Sequence, residues 1–365
     1  MNITCNKEAL QKYIVNANRI TGKHLSLPIL NSVFIGTNNK KIIIRATNLE
    51  VGVEFHLPAQ IKEDGSIALP GALIANALLN IPEKEVTLIT KDGICKITTK
   101  TKTITIKGFF VDDFPTIPII NDGESFTLSS SSFIQGVRSV VASAALSDIK
   151  PEISSVYLYQ STDSIIFVST DSFRLAEKKI KQNNPSLSHG VIVPLKNIIE
   201  IAHILDIEQG NINFLVSKNQ ISCSMESTYI TSRVVNSVYP DYEQILPKTN
   251  TTEIIMLKND LMNTIKLSTL FFDKFNKITL IVNPAQKKCS ISTKNTEIGE
   301  TESIIPATLT GEPIEIALNG KHIFDCLSVI EKDSIVVQLN SADKPAVIRG
   351  LGDLSFTYLT MPITR

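Results

Sequence analysis

Ser164-Ile165-Ile166-Phe167-Val168-Ser169-Thr170-Asp171-Ser172-Phe173 is a β-rich run closed by a polar marker, and the chain carries this pattern three times. Thr47-Asn48-Leu49-Glu50, Thr170-Asp171-Ser172-Phe173 and Thr293-Lys294-Asn295-Thr296 each end such a run, and their first residues lie 123 apart. Outward from these markers, Leu69-Pro70-Gly71, Val193-Pro194-Leu195 and Leu318-Asn319-Gly320 each follow a further strand and open an amphipathic stretch, at offsets of 124 and 125. A fixed period marks repeated structural units. One this long matches a small domain rather than a solenoid repeat. Three near-equivalent domains in 365 residues describe a scaffold, a different proposition from an enzyme with one cleft.

Each repeat is expected to open on a helix, over Asn6 to Arg19, Ser131 to Ala145 and Asn259 to Phe272. Leu10, Ile14 and Ala17 share one face of the first, Phe133, Val137, Val140 and Val141 of the second, and Leu261, Ile265 and Leu270 of the third. Asn6, Ser131 or Ser132, and Asn259 are the N-cap candidates. A second helix is expected over Gly71 to Leu79, Lys196 to Leu205 and Lys321 to Val329, with Pro70 and Pro194 at entrances where a missing N–H costs nothing. Leu73, Ile74, Ala77 and Leu78 should be buried in the first of these. Strands follow, such as Val86 to Ile89, Ile94 to Ile97 and Thr103 to Ile106, whose period-two alternation marks half-buried antiparallel pairing. The fold class is α+β: repeated domains of two helices on an antiparallel sheet. Boundaries fall at 1–121, 122–250 and 251–365, with Asp112 to Ile120 and Tyr239 to Pro247 as linkers.

Composition adds limits. Lysine and arginine number 36 against 36 acidic residues, so no whole-surface attraction to nucleic acid operates, though a local basic face remains open. No run approaches the roughly 20 apolar residues that cross a bilayer, and the expected location is cytoplasmic, without membrane contact. Cys5, Cys95, Cys223, Cys289 and Cys326 are far apart, without metal spacing, and read as reduced, buried thiols. Thr21-Gly22-Lys23 lacks the frame of a phosphate loop, Gly350-Leu351-Gly352 lacks a dinucleotide context, and the five histidines form no HExxH. Asp171 reads as a turn former rather than a catalytic acid. No catalytic residue, cofactor or metal is expected.

Bases are scattered over the expected helices: Lys7, Lys12, Arg19, Arg138, Lys196, Lys258, Lys266 and Lys321. If these faces share one wall, they would attract phosphates without reading base edges. Leu175, Tyr239, Pro240, Tyr242 and Ile245, with Met361-Pro362-Ile363, form an unusually apolar set for a loop and a chain end. It reads either as interdomain packing or as a peptide-docking groove.

Several motifs, in this order, resemble one family. They are Leu27-Pro28-Ile29-Leu30, Thr47-Asn48-Leu49-Glu50, Asp113-Phe114-Pro115, Ser169-Thr170-Asp171-Ser172-Phe173-Arg174-Leu175-Ala176, Val191-Ile192-Val193-Pro194, Tyr239-Pro240-Asp241-Tyr242, Ile245-Leu246-Pro247 and Met361-Pro362-Ile363. The chain looks like a member of the bacterial DNA sliding clamps, the beta subunit of DNA polymerase III, and the resemblance spans essentially all 365 residues.

The resemblance implies a head-to-tail homodimer, a closed ring of six domains with helices inward and sheets outward. The ring encircles double-stranded DNA without sequence specificity. Implied partners are the DNA polymerase III alpha subunit, the clamp loader, and other polymerases and repair proteins carrying short peptide motifs. The family's peptide groove maps onto Ile153, Thr170, Ser172, Phe173, Arg174 and Leu175, faced by Pro240, Ile245, Leu359, Met361, Pro362 and Ile363. Arg174 is expected to meet a partner's carboxylate or carbonyl. DNA-facing positions are His24, Arg138, Lys196, Lys266 and Lys321, and the dimer edge involves Ile104, Ile106, Leu270 and Phe271. Ser172-Phe173 stands where the family commonly has Gly-His. His24, Leu195 and Glu243-Gln244 replace basic residues, which implies weak direct phosphate contact with retention left to topology. A solitary protein-binding scaffold without ring function is the alternative.

Overall fold

The computed structural model describes residues 1–22, 27–182 and 187–364. Its contacts gather into two units, Met1–Ser131 with Lys196–Val234, and Ser132–Leu195 with Val235–Arg365. Neither unit is a single repeat, because strands hydrogen-bond across repeat boundaries. In the first unit Thr228–Arg233 pairs antiparallel with Val51–Pro58. In the second Arg174–Lys181 pairs with Phe356–Thr360.

The first unit holds an eight-stranded sheet running from Glu124–Ser129 at one end to Ser66–Pro70 at the other. A five-stranded sheet ends on Gln60–Glu63 and on Thr103–Lys107. The second unit holds a nine-stranded sheet from Val191–Pro194 to Ala307–Gly311, and a four-stranded sheet whose end strands are Gly299–Ile304 and Ile314–Asn319.

Among the described residues the α-helices are α1 Lys7–Ile20, α2 Gly71–Leu79, α3 Ser130–Val140, α4 Leu195–Leu205, α5 Lys258–Ser268 and α6 Gly320–Val329. α1 packs beside α2 on Lys41–Thr47 and Val51–Pro58, burying Leu10, Ile14 and Ala17 completely. Each such Leu or Ile contributes about 1.5–3 kcal/mol. Asn6 caps α1, its Oδ1 accepting from Ala9 N at 3.0 Å.

Each repeat opens on a strand rather than a helix: Asn2–Asn6, Glu124–Ser129 and Thr252–Leu257 precede α1, α3 and α5. The alternation was legible, with Ile3 and Cys5, Phe126 and Leu128, and Ile254 and Met256 turned inward. α5 begins at Lys258, with Leu257 at its entrance and no side-chain cap, so Asn259 is not the cap. α3 and α5 also end early, passing into 3-10 turns at Val141–Ser143 and Thr269–Phe271. Leu270 therefore leaves the apolar face and is 65% exposed, and Leu73 is exposed beside the buried stripe of Ile74, Ala75 and Leu78.

The first two markers build the same turn. Thr47 Oγ1 donates to Val51 O at 2.9 Å and accepts from Leu49 N, while Asn48 Oδ1 accepts from Glu50 N and Val51 N. Thr170 and Asp171 repeat this with Arg174 O, Ser172 N, Phe173 N and Arg174 N. The third marker differs: Lys294 offers no short acceptor, so Lys288–Asn295 runs straight through it and the turn forms on Asn295. The shared turn places Leu49 at φ +74°, where a leucine Cβ crowds the backbone and asparagine is tolerated. Leu49→Asn is expected to raise the unfolding free energy by about 0.5–1 kcal/mol in a urea titration. A fall instead would mean that the packing of the half-covered leucine outweighs the strain.

Candidate peptide groove

The Thr170–Arg174 turn, the Tyr239–Leu246 segment and the chain end converge within the second unit. Leu175 pairs with Leu359 across adjacent strands, both under 2% exposed, and joins Ile166, Val168, Ile192, Tyr239 and Tyr242 in one buried cluster. Leu246 and Met361 pack against this cluster from outside. The chain end is sewn down by main-chain bonds, Met361 N to Phe173 O and Ile363 N to Ala317 O, each 2.8 Å.

Two cavities share Met361, which packs on this cluster. One, of about 390 Å³, is lined by Phe173, Lys274, Phe275, Asn319, His322, Met361, Pro362 and Ile363 among others. The other, of about 500 Å³, is lined by Ile245, Leu246, Pro247, Asn340, Lys344, Pro345 and Met361 among others. The expected site positions divide by burial. Leu175, Leu359, Ile153 and Thr170 are buried, whereas Phe173 at 67% and Ile245 at 46% remain open, with Ser172 and Pro240 exposed and Met361, Pro362 and Ile363 half-buried.

Arg174 differs from expectation. Its Nε donates to Asp171 Oδ2 at 2.9 Å and its Nη1 to Asp325 Oδ2 at 2.7 Å, with only 12% of the side chain exposed. A guanidinium this covered requires paired charge, and the chain's own carboxylates supply it. Burial works to lower the Arg174 pKa, but the bond to Asp325 and the interactions with Tyr358 and Asp171 together outweigh it and leave it raised. Asn319 and His322 escaped the sequence reading as groove residues. Asn319 Oδ1 caps α6, accepting from Lys321 N and His322 N, so its role as a helix start conceals its place on the cavity wall. Burial, then the charge of Arg174, lowers the His322 pKa and favours the neutral ring.

Models of the DNA polymerase III beta subunit match the chain in series: the N-terminal domain over residues 1–118, the central domain over 127–241 and the C-terminal domain over 243–364. The chain belongs to the DNA polymerase III beta subunit family. The beta sliding clamp of Synechococcus elongatus is 25% identical over 371 residues, covering 100% of this chain and 99% of that one. That of Bacillus subtilis is 23% identical over 376 residues, with 100% and 99% covered. The beta subunit structure from Thermotoga maritima superposes with a TM-score of 0.94 at 23% identity, covering 100% and 99%, which establishes the fold. Like its family, the chain is a non-enzymatic sliding clamp that confers processivity on the polymerase at DNA.

For a beta subunit, the helix charges and sheet ends matter next. Lys196 in the first unit, and Arg138, Lys266 and Lys321 in the second, are all exposed; His24 lies outside the described residues. Arg19, Lys12 and Lys258 bond to groups of their own units. Arg19 Nε meets Glu200 Oε2 at 3.0 Å, Lys12 Nζ donates to Ile207 O at 2.9 Å, and Lys258 Nζ donates to Ile330 O at 2.7 Å. At the open end of the five-stranded sheet, Ile104 is half-buried but Ile106 is 2% exposed, so the Ile106 side chain belongs to the unit's own core. At the open end of the four-stranded sheet, Leu270 at 65% and Ile304 at 70% are exposed, and Phe271 lies beside Gly299. The cysteines are buried and free, and burial pushes Cys5 and Cys95 up to about 12. Among the described residues no helix is long and apolar enough to cross a membrane.

Proposed function

We propose that two copies close head to tail into a ring around duplex DNA, and that the groove tethers the DNA polymerase III alpha subunit. The same groove serves the clamp loader and other polymerases and repair proteins through short peptides, in the cytoplasm. The observation that carries the tethering role is Met361, which lines both cavities and packs on the buried cluster of Leu175 and Leu359. An extended peptide can place an apolar side chain on either side of it. Tethering then raises the partner's concentration at its template without any bond being made or broken.

On the DNA side, Arg138, Lys196, Lys266 and Lys321 offer phosphate attraction without base contacts, and the engagement of Arg19 and Lys12 within the first unit leaves that attraction modest. Retention is then mainly topological. Loaded rings are expected to stay on nicked circular DNA and to leave once the circle is cut, while binding of unloaded protein to linear duplex is weak and falls further as salt rises. Gel filtration of labelled protein with each DNA form measures this. Equal retention on circle and line rejects encirclement, and a preference for one base sequence rejects nonspecific contact.

A further inference from the structure

The Ile245 wall of the groove has little regular structure of its own. It is the 3-10 turn Glu243–Ile245, held locally by Ile245 N to Tyr242 O at 3.1 Å and Leu246 N to Glu243 O at 3.3 Å. Besides the apolar packing of Tyr242 and Leu246 on the Leu175 cluster, a polar chain, buried at Glu177 and Tyr242 and half-covered at Tyr159, attaches that turn to the strand beyond Phe173. Glu177 is 4% exposed and lies two residues beyond Leu175 on the strand Arg174–Lys181, so the two side chains share a face. Its Oε2 accepts from the Tyr242 hydroxyl at 2.5 Å, and Lys179 Nζ lies 3.3 Å from its Oε1. The Tyr242 hydroxyl also lies 2.7 Å from that of Tyr159. The Tyr242 hydroxyl donates its one proton to Glu177 and can therefore only accept from Tyr159, whose hydroxyl also lies 3.4 Å from Glu243 Oε1. Burial, then the charge of Glu177, pushes the Tyr242 pKa far above the ordinary tyrosine range, so the donor is permanent. Tyr239, the other anchor of the segment, stacks on Tyr157 at 4.7 Å, and its own buried hydroxyl has no hydrogen-bond partner among the described residues. Of these two anchors, Tyr242 is the polar one.

We infer that Glu177 and Tyr242 are positioning residues for partner binding: their bond ties the strand that carries the Phe173 turn to the Ile245 wall and holds the groove in its receiving shape before a peptide arrives. The inference rests on the groove reading above. Neither residue is required to touch the peptide. A wall released from this tie spends only part of its time in the receiving shape, and the apparent affinity falls by that fraction. A wall correctly placed about a tenth to a fifth of the time lowers affinity about fivefold to tenfold.

The test titrates a labelled peptide from the C-terminal tail of the DNA polymerase III alpha subunit against the full chain, and follows amide exchange at Ile245 and Leu246. Tyr242→Phe and Glu177→Leu are each expected to lose about fivefold to tenfold, and the double variant to lose no more than either, because both remove one link. Glu177→Gln, which keeps an acceptor for the hydroxyl, should bind within about twofold of wild type. Ile245 and Leu246 amides should exchange faster in the two breaking variants and slow again when peptide saturates the groove. Wild-type affinity in Tyr242→Phe, or weakened affinity with unchanged exchange, overturns the lock while leaving the groove standing. Failure of the wild-type chain to bind the peptide overturns the groove reading itself, and the lock with it. Should Glu177→Leu fail to fold, Tyr242→Phe, which loses one oxygen atom, carries the comparison alone.

Discussion

A chain that lacks Met361 to Arg365 is expected to bind the polymerase-tail peptide at least about tenfold more weakly while keeping its dimer mass. Burying one such apolar side chain is worth about 1.5–3 kcal/mol before ordering costs, and about 1.4 kcal/mol is already tenfold. The truncation removes Met361 from both cavities at once, and Pro362 and Ile363 from one. It also frees Phe173 O and Ala317 O, so the Phe173 turn loses its main-chain tie. The dimer should survive because Ala317 lies on Ile314–Asn319, at the opposite end of the four-stranded sheet from Gly299–Ile304. Fluorescence anisotropy with light scattering on the same samples gives both readouts. Unchanged affinity in a folded dimer would move the partner site elsewhere.

Leu270→Asp is expected to turn the dimer into monomers at micromolar concentration. In the proposed ring, the open strand Thr103–Lys107 of one protomer meets the Gly299–Ile304 edge of its partner, where Leu270 and Ile304 stand exposed. Head-to-tail closure uses that contact twice. A loss of about 2 kcal/mol at each contact, the value of one buried leucine, becomes near a thousandfold in the dimer constant. The aspartate adds the cost of covering a charge. Light scattering over a dilution series decides the matter. A wild type that is already monomeric favours the solitary scaffold, and a Leu270→Asp dimer places the closing contact on another edge.

What could be read in advance follows from how far each physical cause reaches along the chain. α2 forms over Gly71–Leu79 as expected because propensity, the Pro70 entrance and apolar spacing all act within a turn or two. The Thr47 and Thr170 turns were legible for the same reason, their bonds closing within four residues. Strand existence was likewise local, although the opening strands hid beside helices whose apolar rhythm drew the reading.

Side-chain fate was decided at longer range. Leu73 and Leu270 look like core from spacing alone, yet the first points off the buried stripe and the second sits past the helix end. Arg174 finds Asp325 across 151 residues, which no local pattern encodes. The sequence by itself determined the repeat, the existence of the helices, the Thr47 and Thr170 turns and the family, because each rests on residues near one another or on order along the chain. Only the tertiary structure decided that Leu175 and Leu359 are buried core, that Arg174 is paired at home, and that Asn319 and His322 line the same cavity as Phe173. Burial and ion pairing depend on which distant strands and helices pack together, and that partnership exists only once the whole unit has folded.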